Sequence, residues 1–344
     1  MRKRRMPTEA ELAAGIALAE RSAVAAALNL IEDRRPEARP RIEQLLAMLA
    51  PRAGGQRIGL TGPPGVGKST LTSVLARELR GRGLSVGVLA VDPSSVRSGG
   101  ALLGDRARMD FDPSDHGLFV RSLATAGDSG GLSYAANAIV AVLASAFDRV
   151  LVETTGVGQS ETDVEHVVDT VCLVVQPGSG DVLQFIKAGI MEIPDVIVVN
   201  KGDQQALAQR AAMDLKAALS ALRGVGVSGA SSSWVVPVLV TSARDRIGID
   251  ALAESLDRHL ASFTVGALAL RRQAGGTHWA VALFERRFGE HGFEMLGGRE
   301  LVRSHAQASV ESGVAPLSVA NELASKYLGS ATLGESPSSA RRRT

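Results

Sequence analysis

Cysteine is nearly absent from this chain: one in 344 residues, Cys172, inside the apolar run Val171–Val175. A lone thiol supports neither a disulfide nor a cysteine-based metal site, and in such a run it behaves as a small hydrophobe in a reducing compartment. Aromatic residues are also scarce, at 3%, and no basic stripe is interleaved with them, so the sequence gives no support to nucleic-acid binding. Six scattered histidines offer no metal-ligand spacing. Long hydrophobic runs are missing too. The alanine-rich stretch Ala10–Leu30 is interrupted by Glu11, Glu20 and Arg21, which makes it neither a signal segment nor a membrane span. Glu9 and Glu11 follow the Arg-rich start too closely for an organelle-import segment. A soluble, cytoplasmic protein is expected, with no membrane and no nucleic-acid partner. The net charge of +2 comes from Arg2, Lys3, Arg4, Arg5 and Arg341, Arg342, Arg343, so the body between these ends is acidic.

Against these absences stands one complete motif, Gly62-Pro63-Pro64-Gly65-Val66-Gly67-Lys68-Ser69-Thr70. It follows the apolar run Ile58–Leu60 and precedes a helical pattern, which is the setting of a phosphate-binding loop. Glycines let consecutive backbone N–H groups turn inward around a β-phosphate, where a Cβ would obstruct them. The following helix points its positive end at the same anion. Lys68 then reaches the β- and γ-phosphates, and the Ser69 hydroxyl ligates magnesium.

From Arg57 to about Ser262, short β-branched runs alternate with amphipathic helices, the pattern of a parallel sheet covered on both faces. Strands are expected at Arg57–Thr61, Val86–Val91, Phe119–Arg121, Arg149–Glu153, Thr170–Gln176, Val196–Asn200 and Val235–Thr241. Two helices, Glu9–Leu30 and Ile42–Leu49, precede them, and further helices follow over Arg271–Leu328. The fold class is therefore α/β, a P-loop NTPase with a mostly parallel, doubly wound sheet and helical extensions at both ends. The expected division is 1–56, an N-terminal helical extension; 57–265, the nucleotide domain; 266–330, a C-terminal helical arm; and 331–344, a disordered tail.

Asn200-Lys201-Gly202-Asp203 closes the strand at Val196–Val199, where doubly wound sheets bind ligands. A carboxylate at Asp203 accepts from both N1–H and the exocyclic amine of guanine. Adenine offers neither and would leave a desolvated charge unpaired, at a cost on the order of several kcal/mol. Asn200 would brace the neighbouring loops, and Lys201 would lay its methylenes along the base. Ser242, Ala243 and Arg244 end the last strand as a weaker base-contacting loop. Glu153-Thr154-Thr155-Gly156 ends a strand where an acidic residue faces the magnesium shell and a glycine N–H meets the γ-phosphate. Asp92, at the end of the second strand, and Asp105, in a glycine-flanked segment, are further candidates for magnesium and for a segment that rearranges with the phosphate. Val157 stands where Ras-like proteins carry a water-positioning glutamine, so intrinsic hydrolysis is expected to be slow. Lys68, Asp105 and Glu153 are the candidate catalytic residues.

On these residues the chain resembles the MeaB/ArgK family, GTPase chaperones of adenosylcobalamin-dependent acyl-CoA mutases. The resemblance is carried by Gly62–Thr70, Val91–Ser95, Gly99-Gly100 with Leu103-Gly104-Asp105, Glu153–Glu161, Pro177–Asp181, Gly189–Glu192 and Asn200–Asp203. It extends to Gln273, Trp279 and Gly313–Leu323 in the last helices. It implies a magnesium-dependent GTPase that forms a homodimer, binds GTP or GDP, and gates cofactor loading or protection of a mutase such as methylmalonyl-CoA mutase. It also implies a switch at Asp92 and Asp105, and a second, partner-contacting one over Gln176–Lys187 with Asp181 and Lys187 as its charged members. The chain departs from the family at Ser98, Val182, Phe185 and Ser122–Asp128. Alternatives are a small-molecule, transport-related kinase, a metal-insertion GTPase, and a scaffold that uses GTP only as a structural ligand. Equilibrium dialysis is expected to retain GTP well above ATP; preference for ATP, or retention of neither, would remove the base-recognition reading.

Overall fold

The computed structural model describes residues 6–92, 112, 114–124, 135–155, 163–178, 193–224 and 234–334. The chain divides into two compact units, Met1–Arg272 and Gln273–Thr344.

The first unit is built on seven strands: β1 (Gln56–Thr61), β2 (Val86–Asp92), β3 (Leu118–Ala124), β4 (Arg149–Glu153), β5 (Thr170–Val175), β6 (Val196–Val199) and β7 (Val238–Val240). They pair in the order β3-β2-β4-β1-β5-β6-β7, each neighbouring pair parallel. Every carboxyl end therefore lies along one edge. The chain moves from β1 to β2 on one side and later places β5 on the other, so the order reverses at β1, where such sheets bind ligands.

The period of two along each strand sorts side chains onto two faces. Ile58, Leu60, Val86, Val88, Cys172, Val174, Val196 and Val198 share one buried cluster with Leu71, Leu75 and Leu79 of α4 (Lys68–Gly81). The same cluster takes Ile249, Leu252 and Leu256 of α7 (Ile249–Ser262). The alternate residues Leu173, Val175, Ile197 and Val199 face Ala208, Ala212 and Leu215 of α6 (Gln205–Gly224). Near the middle of the sheet this second face is lined by two glycines. A Cβ at Gly59 would lie 2.6 Å from Val164 Cγ2, and one at Gly87 would lie 2.8 Å from Phe147 Cδ2. Burial pushes the Cys172 thiol up to about 12, so it packs as a hydrophobe.

Helix α5 (Ala136–Ala146) lies against β4 and β2, and the N-terminal helices α1 (Glu9–Ala17), α2 (Arg21–Ile31) and α3 (Arg39–Met48) pack on it. Sequence periodicity suggested one helix over Glu9–Leu30, but the chain breaks between α1 and α2. Ala19 has φ +56, and Glu20 N–H bonds back to the Gly15 carbonyl, so the two helices fold together. A Cβ at Gly15 would meet Ala23 Cβ at 2.5 Å, which shows how closely they pass. Pro40, expected between helices, sits in the first turn of α3, where the missing N–H costs nothing. The last strand is shorter than the expected Val235–Thr241, since Val235 is exposed and Pro237 has no N–H for the ladder. The third is longer, pairing with β2 from Leu118 to Ala124.

Helix α8 (Ala267–Met295) begins in the first unit. In the second unit it is followed by α9 (Arg299–Glu311) and α10 (Pro316–Gly334), which close over Phe284, Phe293, Val302, Ala306, Val310, Val319 and Leu323. Phe284 meets the Phe293 ring edge at 5.6 Å, and Phe288 lies 4.4 Å from Tyr327. Among the described residues no helix is long and apolar enough to cross a membrane.

The Gly59 contact yields a direct test. Gly59→Val should lower stability by about 1–3 kcal/mol through overpacking against Val164 and Val168, read as a lower midpoint in urea unfolding followed by circular dichroism. An unchanged midpoint would mean the segment carrying Val164 and Val168, which leads into β5, is not seated on the sheet as described.

Candidate nucleotide-binding site

The loop after β1 folds as a cradle because its glycines take backbone conformations that other residues resist. Gly62 has φ +136 and Gly67 has φ +91. Neither position has room for a side chain: a Cβ at Gly62 would fall 2.0 Å from the Val174 carbonyl oxygen, and one at Gly67 2.7 Å from Asn200 Nδ2. Val66 is fully buried and plugs the loop into the core, while Pro64, Gly65 and Thr70 are exposed. Gly67 caps α4 without a side-chain acceptor, so the first N–H groups of the helix face an anion position with the helix dipole behind them.

Lys68 is the buried cation of the loop. Its amine donates to the Gly62 carbonyl at 2.7 Å and to the Pro63 carbonyl at 2.9 Å, which folds it across the cradle. Next to it, the Ser69 hydroxyl donates to Glu153 Oε1 at 2.5 Å. Glu153 ends β4 and is 5% exposed. The register explains the meeting, because Glu153 pairs with Leu60, two residues before the loop starts. Thr154 adds a strut, its hydroxyl donating to Thr61 Oγ1 at 3.0 Å.

Asn200 joins the two halves of the site. Its Nδ2 donates to the Val66 carbonyl at 2.9 Å, and its Oδ1 accepts from Ala243 N–H at 3.1 Å and from the Thr241 hydroxyl at 3.4 Å. The phosphate loop and the loop after β7 are thus pinned to one side chain. Gly202 N–H donates to the Thr241 carbonyl at 2.8 Å, tying the segment after β6 to the same loop. Ser242 is buried, its hydroxyl donating to Asp245 Oδ2 at 2.8 Å, and Ala243 is buried beside Asn200. Asp203 and Arg244 are exposed along this rim. Lys201 adopts φ +60, and its amine is held by the side-chain carbonyl of Gln176.

The site residues expected at Gly62, Pro63, Pro64, Gly65, Val66, Gly67, Lys68, Ser69, Thr70 and Glu153 share the carboxyl edge with Asn200, Lys201, Asp203, Ser242, Ala243 and Arg244. Asp92 ends β2 opposite Ala124, but its side chain lies outside the described residues. Asp105 and Gly156 also lie outside them, as do Ser98, Gln159, Asp181, Val182, Phe185 and Lys187. Sequence reasoning missed two contacts. The Gln176 hold on Lys201 is a polar residue closing the strand beside the one that carries the motif, and adjacency in the sheet was the information lacking. The turn in which the Ser242 hydroxyl donates to the Asp245 carboxylate and accepts from the Asp245 N–H was visible as a Ser-x-x-Asp spacing.

The donor set suits a hard divalent cation. A hydroxyl and a carboxylate oxygen meet at the first turn of α4, and magnesium takes few protein oxygens while keeping several waters. Among the described residues no group of three or more His, Cys, Asp or Glu side chains competes as a metal cage.

A sequence model of the family described as methylmalonyl-CoA mutase-associated GTPase MeaB matches residues 24–294. A probable GTPase of Mycobacterium bovis is 40% identical over 277 residues, covering 79% of this chain and 81% of that protein. The mouse protein named methylmalonic aciduria type A homolog, mitochondrial, is 37% identical over 295 residues, covering 80% of this chain and 69% of that one. The solved structure described as an LAO/AO transport system kinase superposes with a TM-score of 0.66 at 27% identity, covering 92% of this chain and 96% of that one.

Asn200→Ala would strip the Val66 carbonyl and Ala243 N–H of their shared partner. The expected result is a loss of about 1–3 kcal/mol in stability together with weaker GTP binding, checked by thermal unfolding with and without GTP. Unchanged GTP binding would mean the two loops hold their positions without it.

Proposed function

The chain belongs to the methylmalonyl-CoA mutase-associated GTPase family, and we propose that it couples magnesium-dependent GTP hydrolysis to cofactor loading or protection of an adenosylcobalamin-dependent acyl-CoA mutase. GTP hydrolysis itself follows from that membership. The observation that supports the rest of the reading is the convergence, on one sheet edge, of the phosphate cradle, the Ser69–Glu153 pair and the Asn200 brace to the base loops.

In this reading GTP lays its phosphates in the loop Gly62–Thr70, and Lys68 exchanges the carbonyls of Gly62 and Pro63 for β- and γ-phosphate oxygens. That exchange stabilises negative charge as it builds toward the transition state. Ser69 and Glu153, with Asp92 and Asp105 as further candidates, would hold magnesium, which would neutralise the charge of the phosphates. Asp203 accepts from the guanine edge, Lys201 covers the base face, and in the loop Ser242–Arg244 it is the Arg244 N–H that faces guanine O6, because those of Ser242 and Ala243 are bonded to the Ile247 carbonyl and to Asn200 Oδ1. Gly156 is the candidate for the γ-phosphate contact. Val157 in place of a water-directing glutamine makes basal turnover slow, leaving Asp105, Glu153 or Gln159 to direct the water once a partner engages.

The mutase partner is supported by the family's description and by the name of the mouse relative. The three helices α8, α9 and α10 form the proposed dimerisation arm, and the working form is a homodimer in the cytoplasm. The transport-kinase name of the structural relative supplies the competing reading, in which the γ-phosphate passes to a small acceptor.

Purified protein with GTP and a cobalamin-dependent acyl-CoA mutase should release free phosphate faster than protein alone, while Lys68→Ala stays folded and loses at least about a hundredfold in turnover. Absence of mutase stimulation, or transfer of label from γ-phosphate to a metabolite, would overturn the chaperone reading.

A further inference from the structure

The contact between Gln176 and Lys201 has no role in the reading above, yet two independent features of the fold, the strand register and the Lys201 backbone, converge on it. Strands β5 and β6 are adjacent and parallel, with Val175 paired to Val199. Asn200 N–H donates to the Val175 carbonyl at 2.9 Å, which brings the residues just past the two strands side by side. Gln176 is the first residue beyond β5, and Lys201 lies two beyond β6. Lys201 holds φ +60, a left-handed conformation in which a Cβ crowds the following carbonyl. Such strained positions persist where the surroundings over-determine them, and they gather at ligand clamps. Finally, the amine of Lys201, a half-buried residue, is held by the Gln176 side-chain carbonyl.

Lysine is a flexible four-carbon stem that loses much rotamer freedom when a ligand orders it. Anchored at both ends, by a strained backbone and by Gln176, the stem is ordered before a ligand arrives. Resting on the reading of Asn200–Asp203 as the base-recognition segment, we propose that Gln176 is a positioning residue of the base site. It holds the Lys201 methylenes as a flat apolar floor for one face of the purine. A floor contacts the ring and not its edge, so Gln176 sets nucleoside affinity without reading the 2-amino group, which is the task of Asp203. Strand β5, through the residue just beyond its end, and the base-reading segment are thereby joined through a side chain as well as through the ladder.

The experiment is calorimetric titration of GDP and IDP, which differ only in the 2-amino group, into full-length protein. Gln176→Ala should weaken both by the same factor, about tenfold, as preorganisation of Lys201 is lost. Melting of the nucleotide-free protein should be unmoved. In a Lys201→Ala background, Gln176→Ala should have no further effect. Gln176→Glu, which keeps an acceptor for the amine, should restore binding close to the parent. The proposal is overturned if Gln176→Ala leaves GDP affinity unchanged, weakens GDP but not IDP, weakens binding equally without Lys201, or is not rescued by Gln176→Glu. Failure of the unsubstituted protein to bind GDP would instead remove the base-site reading on which the proposal rests.

Discussion

One primary amide, that of Asn200, ties the phosphate-loop motif to the loop after β7 across the carboxyl edge. A buried amide must find partners for both its donor and its acceptor. Here it finds Val66 in the phosphate loop and Ala243 in the loop after β7. These partners come from segments more than a hundred residues apart. The bareness of Gly67 follows from the same side chain, since a methyl there would occupy its nitrogen's place. The phosphate-loop motif and the loop after β7 are mechanically one unit because this amide is shared.

The opposite edge of the sheet explains how that site stays in place. Asp169, with no exposed surface, accepts from Arg57 N–H and from two nitrogens of Arg272. Asp195 accepts from Val171 N–H and from Arg271, and lies beside His259. Burial alone would raise the Asp195 carboxyl, but the hydrogen bonds and charges of His259 and Arg271 hold it below the usual range. Buried carboxylates satisfied in this way are strongly destabilised by loss of one partner. They clamp the amino ends of β5 and β6, and the far ends of those strands carry Gln176 and Asn200. They also fix the first turns of α8.

Much of this was legible in the order of residues. The seven strand runs, the phosphate loop and the placement of Asn200 at a strand end follow from β-branched periodicity and glycine spacing, which are local properties. The break at Ala19 was not legible, because a helical pattern of alanines continues across it. It is the close passage of Gly15 and Ala23 that makes the fold-back favourable. The shortening of β7 was half-visible in Pro237 and half a matter of which side of the sheet Val235 meets.

Local chemistry therefore determined the class of the protein: a glycine loop before a helix cradles phosphate wherever it folds, and an acidic residue after a strand can accept from guanine. Tertiary structure alone decided which distant side chains complete those loops. The meeting of Ser69 with Glu153, of Asn200 with Val66 and Ala243, and of Lys201 with Gln176 each requires the strand order that places β4, β5 and β7 beside their partners. A chain's sequence spells its short-range preferences residue by residue, whereas strand order is a collective outcome of burying both faces of one sheet.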